Sequence, residues 1–386
     1  MTKEELWSQQ NAALRDPAEI FGTSYATAGI TRNTLKYTAS DGFIQLLHQL
    51  KITLVASREY ENMLIALHAP SRKELQQSFF HLPHPSGVAI DRERNTMYVA
   101  ATRNPNQIVE FKLTGDNLDR LKFEKTKGAK VLRPARSKYY PGEYYFHDLA
   151  LGNGKLYANS VGMNCVIAVD MNSPEPEAPL WWPSCIDRKG QPDTRANYIQ
   201  LNSIAMGDGL ENSFFSASGK GIIPQRPGDH DYPVDQLGVI FSGATREVMG
   251  EGLTRPHSAR THNGQVWVAN SGYGQVGYID NGMFKPVYTF DGWTRGLCIV
   301  GDILFAGVSR VLPRFRHYAP GIKSRKQTCA IVAMNMKTGK VVGDIQFPYG
   351  NQLFAIEHIS ADACKGLPFT GLAANDYEKK IFSVSL

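Results

Sequence analysis

Two histidines and an arginine carry the chemistry this sequence offers most plainly. His147 opens HDLALGNGKLYANS, His257 opens HSARTHNGQVWVANS and Arg295 opens RGLCIVGDILFAGVS; in each, a polar residue leads an apolar run, a turn and a second run. The same phrase recurs with Asn202 in NSIAMGDG, with Ser86 and the preceding His84 in HPSGVAID, and more loosely with Gln352 in QLFAIEHIS. A neutral imidazole can accept a proton or bind a metal, and a guanidinium can hold an anion that forms beside it. If His147 and His257 meet, they offer a general base next to Arg295. Alternatively, with Asn202 or Asp148 and water, they offer the ligands of a divalent metal such as Zn, Fe, Mn or Ca. Residue types leave both readings open, and no other cofactor is called for.

These residues are scattered along the chain, so only a repeat architecture brings them together. From Ser86 through His147, Asn202, His257 and Arg295 to Gln352 the steps are 61, 55, 55, 38 and 57 residues, near or above the roughly 40 to 50 residues of a four-stranded propeller blade. In a β-propeller the residues ahead of the innermost strands converge on one end of the central channel. The strand signal agrees: TMYVAAT, QIVEFKL, CVIAVDM, NSFFSAS, LGVIFSG, QVGYID, CAIVAMNM and KVVGDIQF are short β-branched or aromatic runs, separated by NG, GD, DNG and KTG turns. The fold predicted is an all-β propeller, with six blades favoured. ITLVAS, NMLIALHAP and ELQQSFFHL from one end and FAIEHIS, PFTGLAAN and KIFSVSL from the other would complete a blade jointly; these strands are slightly too many for one blade, which leaves seven open. Helical spacing is confined to residues 3–16 and 41–51, expected to pack outside as an N-terminal extension over residues 1–51, with the propeller over 52–386.

Loops joining second and third strands of each blade open on the same face as the leading residues. They add Arg103, Asn104, Asn159, Asn164, Ser218, Lys220, Asn270, Tyr273 and Arg310 to a ring that already holds His84, Asn202, Arg260 and Gln352. With Asp148 almost the sole carboxylate, such a pocket favours a small anionic or hydroxyl-rich molecule. His147 and His257 would transfer the proton or ligate, Arg295 and Arg260 would hold the anion, and Asn202 and Gln352 would orient it. Segments 115–143, 172–199 and 220–236, rich in Pro, Gly and charge, break the blade rhythm and read as excursions suited to lids or specificity loops. Glu357 and His358 are consecutive in a strand, so their side chains are expected on opposite faces, not both serving the channel.

Composition narrows the classes. The 386 residues, 42% hydrophobic, suffice for one large core, and no apolar run approaches the roughly 20 residues that span a bilayer. The start, MTKEELWSQQ, lacks the basic and then apolar pattern of a signal peptide, so a cytoplasmic location is expected. Five cysteines, an odd number with no CxxC, read as buried thiols. The net charge of +6 lies largely in KFEKTKGAKVLRPARSKYY and RVLPRFRHYAPGIKSRKQ; these read as solvated loops, which sets a nucleic-acid partner aside. No nucleophile elbow, phosphate loop or nicotinamide motif is present. The chemistry that remains is non-redox, of lyase, isomerase, cyclase or hydrolase type. The other readings are a non-catalytic module binding a glycan or protein through the same face, and a homo-oligomeric scaffold.

The ordered series FHDLAL, LNSIAM, RPHSAR followed by HNGQVWVANSG, WTRGLCIVGD and NQLFAI before LPF resembles the motif series of an uncharacterised bacterial propeller family defined by a domain of unknown function. The likeness runs over roughly residues 42–386. It implies a propeller, and it implies that His147, Asn202, His257, Arg260, Arg295 and Gln352 belong to shared motifs; it implies no reaction. The chain departs from the pattern at His84-Pro85-Ser86-Gly87, where the family tends to have Arg-Pro-Met-Gly. More distantly, the phrase is similar to those of NHL-repeat, gluconolactonase-like and strictosidine-synthase-like propellers, an analogy of fold.

Overall fold

A computed structural model describes residues 2–6, 31–103, 106–113, 130–324 and 327–370. KIFSVSL, Asn104 and the part of the helix predicted over 3–16 that follows residue 6 lie outside these.

The short β-branched runs pair with their sequence neighbours as antiparallel meanders. Pro85–Asp91, Thr96–Ala101, Gln107–Leu113 and Leu132–Tyr139 form one four-stranded sheet, and Phe146–Gly152, Lys155–Ser160 and Cys165–Val169 form the next, of three strands. Two further meanders, one over Leu201–Leu253 and one over Pro256–Thr289, join at their outer strands through a parallel contact between Glu251 and Met283, giving a continuous sheet of eight strands. Trp293–Val300 begins a fifth meander. The closing sheet takes its innermost strand, Ile356–Ser360, from late in the chain and its other three, Ile52–Arg58, Met63–Ser71 and Glu74–His81, from early in it. This arrangement is a β-propeller. Its sheets do not divide into six equal and separate blades, because one meander is short and two are fused.

The innermost strands of consecutive meanders pack against one another around the axis, and the last, Ile356–Ser360, packs against the first, Pro85–Asp91. Closure of this kind leaves no exposed inner edge. Side chains near the strand starts tie neighbours together. Ser57 Oγ donates to Ser86 O (2.6 Å), Ser86 Oγ to Phe146 O (2.6 Å), and Ser203 Oγ accepts from Ala259 N (2.8 Å). Ser258 Oγ accepts from Gly296 N (2.9 Å), and Ser57 Oγ accepts from Ala355 N (2.9 Å). Packing at this ring is tight: a Cβ on Gly87 would stand 2.5 Å from the Cα of Asp148.

The helix predicted near residues 41–51 forms over Asp41–Leu50, ending where Lys51 turns left-handed at φ 51°. Its apolar face seats Phe43 and Leu47 in a buried cluster with Leu54, Met63, Phe305, Ile331 and Phe347, so it seals the seam between the closing sheet and its neighbour. Among the described residues, no helix is long and apolar enough to cross a membrane.

Candidate anion site at the channel mouth

Five of the six innermost strands carry a β-bulge near their start, between Pro85 and Val88, Phe146 and Leu149, Leu201 and Ser203, His257 and Arg260, and Arg295 and Leu297, while Ile356–Ser360 pairs without one. The bulge re-aims the leading residue toward the channel end. Residues two places earlier lie on the same strand face. Three of these, Tyr145, Gln200 and Arg255, hold left-handed backbone at φ 48°, 49° and 52°, as does His84 at 42°. Non-glycine residues enter this region at a cost of about 1 to 2 kcal/mol each, and recurrence at equivalent positions marks it as built into the chain's turn toward the axis.

The result is a cavity of about 260 Å³ whose lining includes His147, Arg295, Arg103 and Phe354, and also Tyr145, Gln200, Arg255 and Trp293. Tyr60 and Glu59 close one side. Residues 227–228 and the short helix Pro313–Tyr318, through Phe315 and Tyr318, close another. Two of the three segments that break the blade rhythm, 172–199 and 220–236, thus reach the mouth through Asn197 and Pro227.

His147 Nδ1 faces Asn202 Oδ1 at 3.2 Å. The Asn202 amide nitrogen donates to Ser218 Oγ (2.9 Å) and Pro256 O (2.8 Å), so its oxygen must be the atom turned to His147. His147 therefore carries its hydrogen on Nδ1 and keeps the lone pair on Nε2. The His257 ring stacks on that of His147, centroids 5.5 Å apart, and Phe354 stands edge-on to both. Burial, reinforced by the Arg295 charge, holds His147 down at about 3 and His257 well below the ordinary range. Both imidazoles are neutral at pH 7.

Aromatic faces and hydrogen-bond acceptors together position the arginines, Arg255 donating from its two Nη atoms to Gln200 Oε1 and Pro227 O. Arg295 lies 4.2 Å from the Trp293 ring centroid and 5.0 Å from that of Phe354, and Arg255 lies 3.8 Å from that of Tyr318. Such contacts fix a guanidinium without consuming its N–H donors. Arg295 Nε and Arg255 Nε have no hydrogen-bond acceptor among the described residues. Gln352 links the charges, its amide oriented to accept from Arg295 Nη1 (2.7 Å) and donate to Glu59 Oε2 (2.9 Å). Glu59 Oε1 lies 3.6 Å from Arg103 Nε. Burial lowers Arg255 to about 10, leaving it charged at pH 7. The lining therefore holds three arginines against one carboxylate.

A sequence profile for a domain of unknown function, DUF4915, matches residues 41–365. The chain belongs to this family. Among solved structures, the nidogen/laminin complex is similar with a TM-score of 0.54 and 12% identity, over 80% of this chain and 99% of that one. Virginiamycin B lyase from Staphylococcus aureus matches with a TM-score of 0.40 and 11% identity, over 81% and 99%. AztD from Citrobacter koseri matches with 0.40 and 10%, over 80% and 97%. The first of these likenesses supports the propeller fold and nothing finer. No curated protein matches the chain.

In this DUF4915 chain the other predicted site residues are distributed differently. Arg260 turns to the opposite channel end, where it donates to Asp148 Oδ2 (2.8 Å) and Oδ1 (3.3 Å). That pairing takes Asp148 away from the histidines, so the third ligand considered for a His147–His257 metal centre is engaged elsewhere. Asn159 donates to Leu201 O (2.7 Å) and Asn270 accepts from Thr254 N (2.7 Å), so both amides serve the scaffold. Tyr273 OH donates to Asp235 Oδ2, Arg310 donates to Pro348 O, and neither lines the cavity. His84 is buried and held near 3 by burial and Arg103, also outside the lining. The carboxylate at the mouth is Glu59, not Asp148. Glu59, Tyr60, Trp293 and Arg255 were not singled out by sequence reasoning, although the last two lie two residues ahead of Arg295 and His257 and could have been found by stepping back along the same strand face.

Proposed function

We propose that this protein is an enzyme that binds a small anionic molecule, of carboxylate, phosphate or sugar-acid type, at the channel mouth and moves a proton on it by non-redox chemistry of lyase, isomerase, cyclase or hydrolase type. The observation that carries the reading is the trio of arginines, Arg103, Arg255 and Arg295, around a cavity that also presents a neutral, oriented imidazole. Guanidinium groups already fixed in place by ring faces and by neighbouring acceptors such as Gln352 and Glu59 are preorganised for an incoming anion.

Two groups suit proton transfer. His147 has its Nε2 lone pair free of the Asn202 contact, and its protonation is opposed first by burial and then by the Arg295 charge. An anion on Arg295 offsets that charge, so binding the substrate raises the basicity of the imidazole. Tyr60 is kept protonated by burial and by Glu59, and it accepts a hydrogen bond from Arg314 Nη2 at 3.3 Å. In the proposed cycle His147 takes a proton from the bound anion, Arg295 and Arg103 stabilise the charge that develops, and Tyr60 supplies a proton to the departing or rearranging oxygen. Screening of sugar acids, hydroxy acids and phosphate esters tests this reading: turnover abolished by His147→Gln with binding retained supports it. Binding without turnover of any of them would favour a recognition module at the same face.

A further inference from the structure

The opposite end of the channel holds a second constellation, which the proposed reaction does not use. Where His147 and His257 sit at the starts of their strands, Leu149, Leu151 and Thr261 sit toward the far ends, and they line a separate cavity of about 170 Å³ with Arg92, Arg260 and Glu357. At its edge Cys298, on one innermost strand, meets His358 on the next, Sγ to Nδ1 at 3.3 Å. A Glu357 carboxylate oxygen completes a set of three donor atoms that lie within 4.8 Å of one another. Glu357 and His358, expected on opposite faces, nevertheless bring their donor atoms together here, where Ile356–Ser360 is hydrogen-bonded on one side only and its other side faces the channel.

We propose that Cys298, Glu357 and His358 form a binding site for a divalent transition metal of the zinc class. Thiolate, imidazole and carboxylate are the ligand types such a metal takes, and three protein ligands beside a cavity leave a fourth position for water or another small ligand. A tetrahedral centre with Zn–S about 2.3 Å and Zn–N about 2.0 Å separates sulfur from nitrogen by about 3.5 Å, close to the spacing already present. The imidazole is in the ligating form: Arg92 Nη2 lies 3.2 Å from His358 Nδ1, and because a guanidinium only donates, that nitrogen presents its lone pair. The same Nη2 lies 3.2 Å from Glu357 Oε2. A positive nitrogen thus stands between two of the three donors, where a metal would bring its charge. Arg92 has a side chain about half exposed, at 48%, and can swing into solvent, whereas the donors are fixed by strand backbone. The other nearby cation, Arg260, lies 2.8 Å from Asp148 and 3.7 Å from Glu357.

The probe is Co²⁺, added to full-length protein freed of metal by chelation, in a Cys185→Ser background that removes the one cysteine not fully buried. The expected result is one equivalent bound with a thiolate-to-cobalt band in the near ultraviolet. Cys298→Ser abolishes the band, His358→Gln weakens binding at least about tenfold, and His147→Ala leaves it unchanged. Arg92→Ala, which removes the competing cation, tightens binding about threefold to fivefold; this variant and His358→Gln carry the test should Cys298→Ser fail to fold. Absence of the band in wild type and Arg92→Ala, or its survival in Cys298→Ser, overturns the assignment.

Discussion

His147 and Asn202 lead consecutive copies of the repeated phrase, and in the folded chain the histidine's Nδ1 hydrogen meets the asparagine's oxygen at 3.2 Å. The contact fixes the imidazole tautomer, and Asn202 is itself fixed by Ser218 and Pro256. Two adjacent innermost strands are thereby coupled to the basicity of one cavity-lining group.

Replacing that neutral oxygen by a carboxylate shifts the balance. In Asn202→Asp the His147 pKa is expected to rise from about 3 by about 1 to 3 units, as for a charge partner at hydrogen-bond distance. Histidine-resolved NMR titration measures this directly, and an unchanged value contradicts the assigned contact.

Acid stability follows from the buried histidines. His84 and His147 titrate near 3 when folded, against 6.5 ordinarily, and His257 is lowered as well. The unfolded chain therefore binds more protons than the folded one between about pH 6.5 and pH 3. Stability is fully present above that window and is lost as pH falls through it, the unfolding equilibrium constant rising up to about tenfold per pH unit for each such histidine. Chemical denaturation from pH 7 to pH 4 is expected to follow this slope, and His257→Gln to flatten it.

Arg260 and Asp148 form a buried latch between inner strands, and Asp148 also accepts from Ile204 N at 3.1 Å. Asp148→Asn is expected to cost about 2 kcal/mol, since it removes the carboxylate hydrogen-bonded to Arg260 and leaves Glu357, at 3.7 Å, as its ion-pair partner. Ligand affinity at the mouth should not change in the folded fraction. Urea denaturation and anion titration of the same variant separate the two effects.

Gly87 tests the closeness of the inner strands. A Cβ there meets Asp148 Cα at 2.5 Å and Leu149 N at 2.6 Å, backbone atoms that cannot rotate away. Gly87→Ala should destabilise by about 2 kcal/mol, read as a lowered denaturation midpoint.

The strands and the leading residues were legible in sequence because both follow local rules: β-branched runs between Asn-Gly turns, and a polar residue at a fixed place in the phrase. His147, Asn202 and Arg295 were reached that way. The last copy misled, since Phe354, two residues beyond Gln352, takes the place beside the two imidazoles, while Gln352 bridges Arg295 and Glu59. Glu59 and Tyr60 belong to a turn outside the phrase, so periodicity could not mark them. The partition of arginines between the channel ends depends on register. Arg255 and Arg260 flank one histidine in sequence, yet five residues along a strand carry a side chain roughly 17 Å, from one cavity to the other. Asp148 faced the same ambiguity, and only pairing with Arg260 decided it.

The most direct test of the central claim is calorimetric titration of wild type and Arg295→Met with phosphate, citrate and glucuronate at low ionic strength. The account predicts saturable one-to-one binding of at least one of these anions, with proton uptake near pH 6 as His147 gains basicity. It predicts a loss of about thirtyfold in affinity in Arg295→Met, equivalent to about 2 kcal/mol, and no loss in Arg92→Met. Absence of saturable binding by all three, or equal binding in Arg295→Met, would contradict it.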